Sequence, residues 1–136
     1  EVRAFREPQI KKVRSGGLEE VMRDALIPNY LADAVGRPDI EALCLAMALD
    51  LGPEIFERQS RALQTRPDQQ ETLKRITCPT LVLMGAEDRL CPIDRHKLMH
   101  ELIAGSTLEI IDGAGHLPTL EQPEAVNAAL KTWLDI

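Results

Sequence analysis

Two short apolar runs set the frame for this sequence, each closed at once by a glycine-bearing loop that carries a titratable side chain. Leu81-Val82-Leu83-Met84 runs into Gly85-Ala86-Glu87-Asp88-Arg89-Leu90-Cys91-Pro92. Leu108-Glu109-Ile110-Ile111 runs into Asp112-Gly113-Ala114-Gly115-His116-Leu117-Pro118. The first run, from Thr80 to Met84, is continuous and bounded by Pro79 and Gly85, which predicts a strand buried on both faces. The second, Thr107 to Ile111, predicts another short strand. Residues 85–106, 22 in all, separate them. That is room for a returning helix, so the pair is expected to be parallel with a right-handed connection. Pro92 suits the first position of that helix, and Leu98, Met99 and Leu102 give it an apolar face.

The residues before this unit read as helical. Leu18, Val21, Met22, Ala25 and Leu26 follow the i, i+3, i+4, i+7, i+8 spacing of one helix face, after Gly16-Gly17 and before Pro28. A second helix opens at Pro38-Asp39 and closes at Gly52-Pro53, with Ile40, Leu43, Cys44, Met47, Ala48 and Leu51 as its expected inner face. A third covers about 54–63, with Ile55, Ala62 and Leu63 inside. Residues 66–70 form a polar connector, and a helical turn passes through Leu73 and Ile76. After the second strand a last helix starts at Pro123, with Val126, Leu130, Trp133 and Leu134 on one face. The expected division is an all-helical block, 1–75, and a β-α-β-α block, 76–136. Two parallel strands are few for an α/β domain, so this block reads as part of a larger sheet.

Composition narrows the function classes. A chain of 136 residues can bury one real core. Its net charge of −6 argues against nucleic acid or an anionic membrane surface, which call for a basic face. Three irregularly spaced cysteines fit neither a disulfide frame nor a zinc site, and favour a reducing, cytoplasmic setting. No stretch approaches the roughly 18 apolar residues of a membrane span. The first residues lack the apolar run of a signal peptide. With no initiator Met, Glu1 is not expected to be a natural start.

Asp88 and His116 are the chemically informative pair. An Asp and then a His, each in a loop directly after a strand, match the last two members of a Ser…Asp…His triad. A base with a near-neutral pKa must reach a hydroxyl while a carboxylate holds it in one tautomer. The bland alternatives are a surface-loop His and a helix-start carboxylate. The first triad member has no counterpart, because Gly-x-Ser-x-Gly is absent from these residues. Ser15 lacks a preceding strand, Ser60 is mid-helix and Ser106 is in a turn. Asp112 reads as a loop residue. His96 and His100 share a helix face, but without a His-Glu-x-x-His motif they read as solvated and not as a metal pair. Cys91 reads as a small packing residue. Met22, Met47 and Leu51 read as core rather than pocket lining.

Taken in order, Cys78-Pro79-Thr80-Leu81-Val82-Leu83-Met84-Gly85-Ala86-Glu87-Asp88, a helix, a strand, Gly113-Ala114-Gly115-His116 and Glu121-Gln122-Pro123-Glu124 resemble the C-terminal third of the α/β-hydrolase fold. The resemblance implies that the two strands are that fold's seventh and eighth. It favours Asp88 over Glu87 as the acid, three residues after Gly85. It also implies that residues 1–75 are a helical cap, or lid, since the stretch from Met47 to Asp68 resembles caps of small bacterial esterases and enol-lactonases. A complete member would be about twice as long. The nucleophile and part of the oxyanion hole therefore have no match here. The implied function is cleavage of an ester, lactone or related acyl bond with no cofactor, by a parent of which this chain carries Asp88 and His116. The expected partners are a small acyl substrate and either the N-terminal half of the fold or another copy of the chain. The chain alone is expected to be inactive. The alternatives are a C–C bond hydrolase or cofactor-free haloperoxidase of the same fold, and a non-catalytic helical interaction module.

Overall fold

The computed structural model describes residues 2–33 and 36–135. The chain forms two compact units. The first comprises residues 1–28 and 37–67; the second comprises 29–36 and 68–136. The second unit thus takes in a short segment from within the helical half.

The first unit is all-helical. Helix α1 spans Val2–Arg14 and contains Pro8. Pro8 and dense charge hide its apolar spacing. Yet Ile10 and Val13 are almost wholly buried. Helix α2 begins at Leu18–Glu20. It widens into a π-helical stretch over Val21–Leu26 and tightens into a 3-10 turn at Ile27–Asn29. Leu18, Val21, Met22 and Ile27 are buried, so the expected stripe faces inward. Helix α3, Pro38–Thr65, is two helices meeting at Gly52, whose φ of 79° and ψ of 175° leave helical space. Glycine occupies this backbone region at little cost, and Pro53 then restarts the helix at its first turn.

The inner faces expected for α3 are corrected. Ile40 and Leu45 are buried, whereas Leu43, Met47 and Leu51 are each more than two-fifths exposed. Beyond the kink the buried side chain is Ser60, while Leu63 is exposed. Helix α1 packs on α3. There the buried Ile10 and Val13 are joined by ion pairs to the second half of α3: Arg14 donates from Nε to Glu57 at 2.6 Å, and Arg61 pairs with Glu7. Periodicity reports a shared face, but the neighbouring helix decides which face is covered.

The second unit is α/β. Helix α4 spans Gln70–Leu73. Strand β1, Leu81–Gly85, pairs in parallel with β2, Thr107–Ile111, in register from Leu81 opposite Thr107 to Gly85 opposite Ile111. Helix α5, Ile93–Leu102, connects them. Two further helices follow, α6 at Pro118–Glu121 and α7 at Pro123–Leu134. A core of Ile111, Ala114 and Val126, with Leu83 packed against it, joins sheet, loop and α7. β1 is half covered rather than buried on both faces, since Val82 and Met84 are buried and Leu81 and Leu83 only partly. On α7 only Val126 of the expected face is buried, and Leu130, Trp133 and Leu134 are exposed. Among the described residues the sheet has these two strands and no third. A two-stranded sheet has too little surface to bury every apolar face around it. No helix among the described residues is long and apolar enough to cross a membrane.

Candidate active site

Asp88 and His116 both stand past the carboxyl ends of the two parallel strands, where open α/β sheets place ligands and chemistry. Strand register brings the loops together. Gly85 lies opposite Ile111 at the last rung, and two further backbone hydrogen bonds follow. The N–H of Ala86 donates to Ile111 O at 2.8 Å, and that of Glu87 to Ala114 O at 2.9 Å. The His116 loop therefore crosses directly over the end of β1. The approach is so close that a Cβ at Gly85 would lie 2.1 Å from Gly115 O and 2.3 Å from Ala114 O. No side chain can occupy that position without moving backbone.

From this platform Asp88 meets His116. His116 Nδ1 is 2.9 Å from Asp88 Oδ2 and 3.1 Å from Oδ1. An ionised carboxylate only accepts hydrogen bonds, so the ring proton belongs on Nδ1 and Nε2 is left as the basic nitrogen. Oδ1 also accepts the N–H groups of Leu90 and Cys91, both at 2.9 Å. The Asp88 side chain is only 5% exposed, while that of His116 is 36% exposed. Burial alone would raise the Asp88 pKa. The Cys91 N–H, the hydrogen bond and charge of His116, and the Leu90 N–H outweigh it, and the carboxyl is held below the usual aspartate value. Asp88 is thus a buried, oriented anion, and His116 a partly open imidazole fixed at one nitrogen.

A second carboxylate holds the loop itself, and the sequence pattern gave it no role. Glu121 is only 3% exposed. Its Oε2 accepts the N–H of Gly115 at 2.8 Å and of Leu117 at 3.2 Å, the residues on either side of His116. Its Oε1 accepts the N–H of Ala32 at 2.7 Å. The segment around Ala32 belongs to the same unit and backs the loop. The N–H of His116 donates to Tyr30 O at 2.7 Å, and the Tyr30 ring lies 6.3 Å from the imidazole, centroid to centroid. A Cβ at Gly115 would fall 2.7 Å from Ala32 N, which explains that glycine too. Glu121 stands in the Glu121-Gln122-Pro123-Glu124 run, which in sequence contributes only to the family resemblance. Its role needs contacts across 89 residues of sequence.

The other candidates sit elsewhere. Glu87 and Asp112 are exposed. His96 is buried, with Nδ1 3.5 Å from Pro92 O, which corrects the expectation of a solvated face. His100 Nδ1 lies 2.8 Å from Ser106 Oγ, in the turn before β2. The two histidines thus have separate partners. Ser15 Oγ bonds Lys12 O, at the end of α1. Ser60 is buried in α3. Cys91 is drawn against the dyad: its Sγ, an Asp88 oxygen and a His116 nitrogen all lie within 4.8 Å of one another. Packing is therefore not the whole of its setting.

Comparison with known proteins agrees with this fold. The model of the alpha/beta hydrolase family matches residues 3–129. The chain is 29% identical over 112 residues to the uncharacterized hydrolase YugF of Bacillus subtilis (strain 168), covering 81% of this chain and 37% of that protein. It is 38% identical over 64 residues to 3-oxoadipate enol-lactonase 2 of Acinetobacter baylyi, covering 47% of this chain and 24% of that one. Among solved structures, a thermophilic esterase from Thermogutta terrifontis superposes with a TM-score of 0.87 at 31% identity, over 98% of this chain and 50% of the esterase. The chain spans between about a quarter and two fifths of the length of these curated relatives and half of that esterase. With the family model matched almost end to end, and two parallel strands carrying a hydrogen-bonded Asp and His on their carboxyl-end loops, the chain belongs to the alpha/beta hydrolase family.

Proposed function

We propose that this chain supplies the acid and the base of a Ser-His-Asp hydrolase that cleaves an ester, lactone or related acyl bond. The observation that carries the reading is the 2.9 Å contact between His116 Nδ1 and a buried Asp88 carboxylate. In this scheme a serine hydroxyl, contributed by sequence outside residues 1–136, gives its proton to His116 Nε2 as its oxygen attacks the substrate carbonyl. Asp88 stays ionised and stabilises the imidazolium. His116 then returns the proton to the leaving alcohol, and water repeats the cycle on the acyl-enzyme. The roles need no cofactor. The helical residues 1–75 serve as the cap that selects the substrate, and residues 76–136 as the C-terminal part of the catalytic core. The exposed edge of β1 pairs with the remainder of the sheet, or with another copy of the chain. The esterase and enol-lactonase names among similar proteins support an acyl substrate.

The test is hydrolysis of a panel of p-nitrophenyl esters and lactones by the complete protein. His116→Ala and Asp88→Asn should each lower kcat by on the order of 10⁴-fold. Glu87→Gln, an exposed neighbour, should stay within about tenfold. Residues 1–136 alone should not exceed the buffer blank. Full activity in His116→Ala would remove the reading, and a complete wild-type protein that hydrolyses nothing in the panel would favour a non-catalytic interaction module.

A further inference from the structure

We propose that Asp88, Cys91 and His116 form a binding site for a borderline-soft divalent cation of the zinc class, and that the ion switches the dyad off. The site is built by the same turn that orients Asp88. Oδ1 accepts the N–H groups of Leu90 and Cys91, which folds the chain back and brings the Cys91 side chain beside the carboxylate. The three donor atoms, one sulfur, one nitrogen and one oxygen, lie within 4.8 Å of one another. Tetrahedral zinc, with bonds of about 2.0–2.3 Å, holds its donors roughly 3.3–3.8 Å apart. Small side-chain rotations close the cluster on an ion. Thiolate, imidazole and carboxylate together suit zinc better than the hard cations, which prefer oxygen alone. Three protein ligands leave the fourth position to water. Cys91 is not in a disulfide, and both it and His116 are partly exposed, so an ion can enter.

Binding is proton-balanced. The thiol of Cys91 releases its proton to solvent and coordinates as thiolate. The cation takes the place of the proton between Asp88 Oδ2 and His116 Nδ1, and that ring proton moves to Nε2. One proton leaves per ion bound, so binding strengthens as pH rises. In the bound state Nε2 carries hydrogen and accepts no proton. The consequence for catalysis rests on the hydrolase reading above; the site itself does not.

Cobalt(II) is the probe, because a thiolate ligand gives it a near-ultraviolet charge-transfer band that nitrogen and oxygen ligands do not. The purified protein should bind one equivalent with that band, and added zinc should displace it. Cys91→Ser should abolish the band, and His116→Gln should weaken binding at least about tenfold, with circular dichroism confirming that both remain folded. Cys44→Ser and Cys78→Ser should leave the band intact. A band that survives Cys91→Ser, or a folded wild type that shows none, would overturn the site. An active complete enzyme that binds no cobalt would reject this inference and leave the hydrolase reading standing. A cobalt site in an enzyme indifferent to His116→Ala would do the reverse.

Discussion

Removing the Glu121 carboxylate should loosen the His116 loop without touching His116. Three N–H groups converge on it, from Gly115, Leu117 and Ala32, at 2.8, 3.2 and 2.7 Å. Hydrogen bonds to a charged group contribute about 1.5–3 kcal/mol each, and a buried donor left without its partner costs about 1–3 kcal/mol. Gly115 is buried, whereas Leu117 and Ala32 are partly open to water. Only the first therefore incurs the full penalty in Glu121→Ala. Water recovers part of the other two, and a loss of about 3 kcal/mol is expected. Glu121→Gln keeps the shape but replaces one acceptor oxygen with an NH2 donor facing N–H groups. About 2 kcal/mol is expected there. Urea unfolding measures the total. Amide hydrogen exchange locates it, and the amides of Gly115, Leu117 and Ala32 should exchange faster, together, in both variants. An unfolding midpoint within error of wild type, or unchanged exchange at those three amides, would refute the assignment of Glu121 as the loop's anchor.

Three further outcomes are expected. Gly85→Ala places a Cβ 2.1 Å from Gly115 O; it should destabilise the second unit by about 3 kcal/mol or more and displace the His116 loop, read by urea melts and by chemical shifts around His116. Asp88 has a folded pKa below its unfolded value, so its stabilising contribution is complete above about pH 4 and is lost as pH falls through the lower folded value; Asp88→Asn should flatten that acid limb in melts from neutral pH downward, and an unchanged limb would contradict the assignment. Because β1 has no neighbour on its outer edge among the described residues, residues 1–136 should associate, or retain a chain that completes the sheet; light scattering with denaturing mass spectrometry that showed one cooperative 15.1 kDa monomer would count against it.

Much of the second unit was legible locally. Short apolar runs bounded by Pro79, Gly85 and Gly113 fix where the strands stop, and a loop that follows a strand in a parallel sheet must emerge at its carboxyl end. Asp88 and His116 could be paired from their order alone, because parallel neighbours send both loops to the same side. Gly52-Pro53 announced the kink in α3 for an equally local reason, since backbone conformation is set by the residue that adopts it. What the sequence could not determine depended on partners distant in the chain. Helical spacing predicted that Leu43 and Met47 share a face but not that the face lies uncovered, because coverage belongs to the neighbouring helix. Pro8 and the surrounding charges masked α1, whose burial comes from packing on α3. The clamp on the His116 loop was invisible for the same cause: Glu121 acquires its role only when folding brings Ala32, 89 residues away, to the same carboxylate. Local sequence carries backbone preference and periodicity, and long-range hydrogen bonds leave no imprint on either.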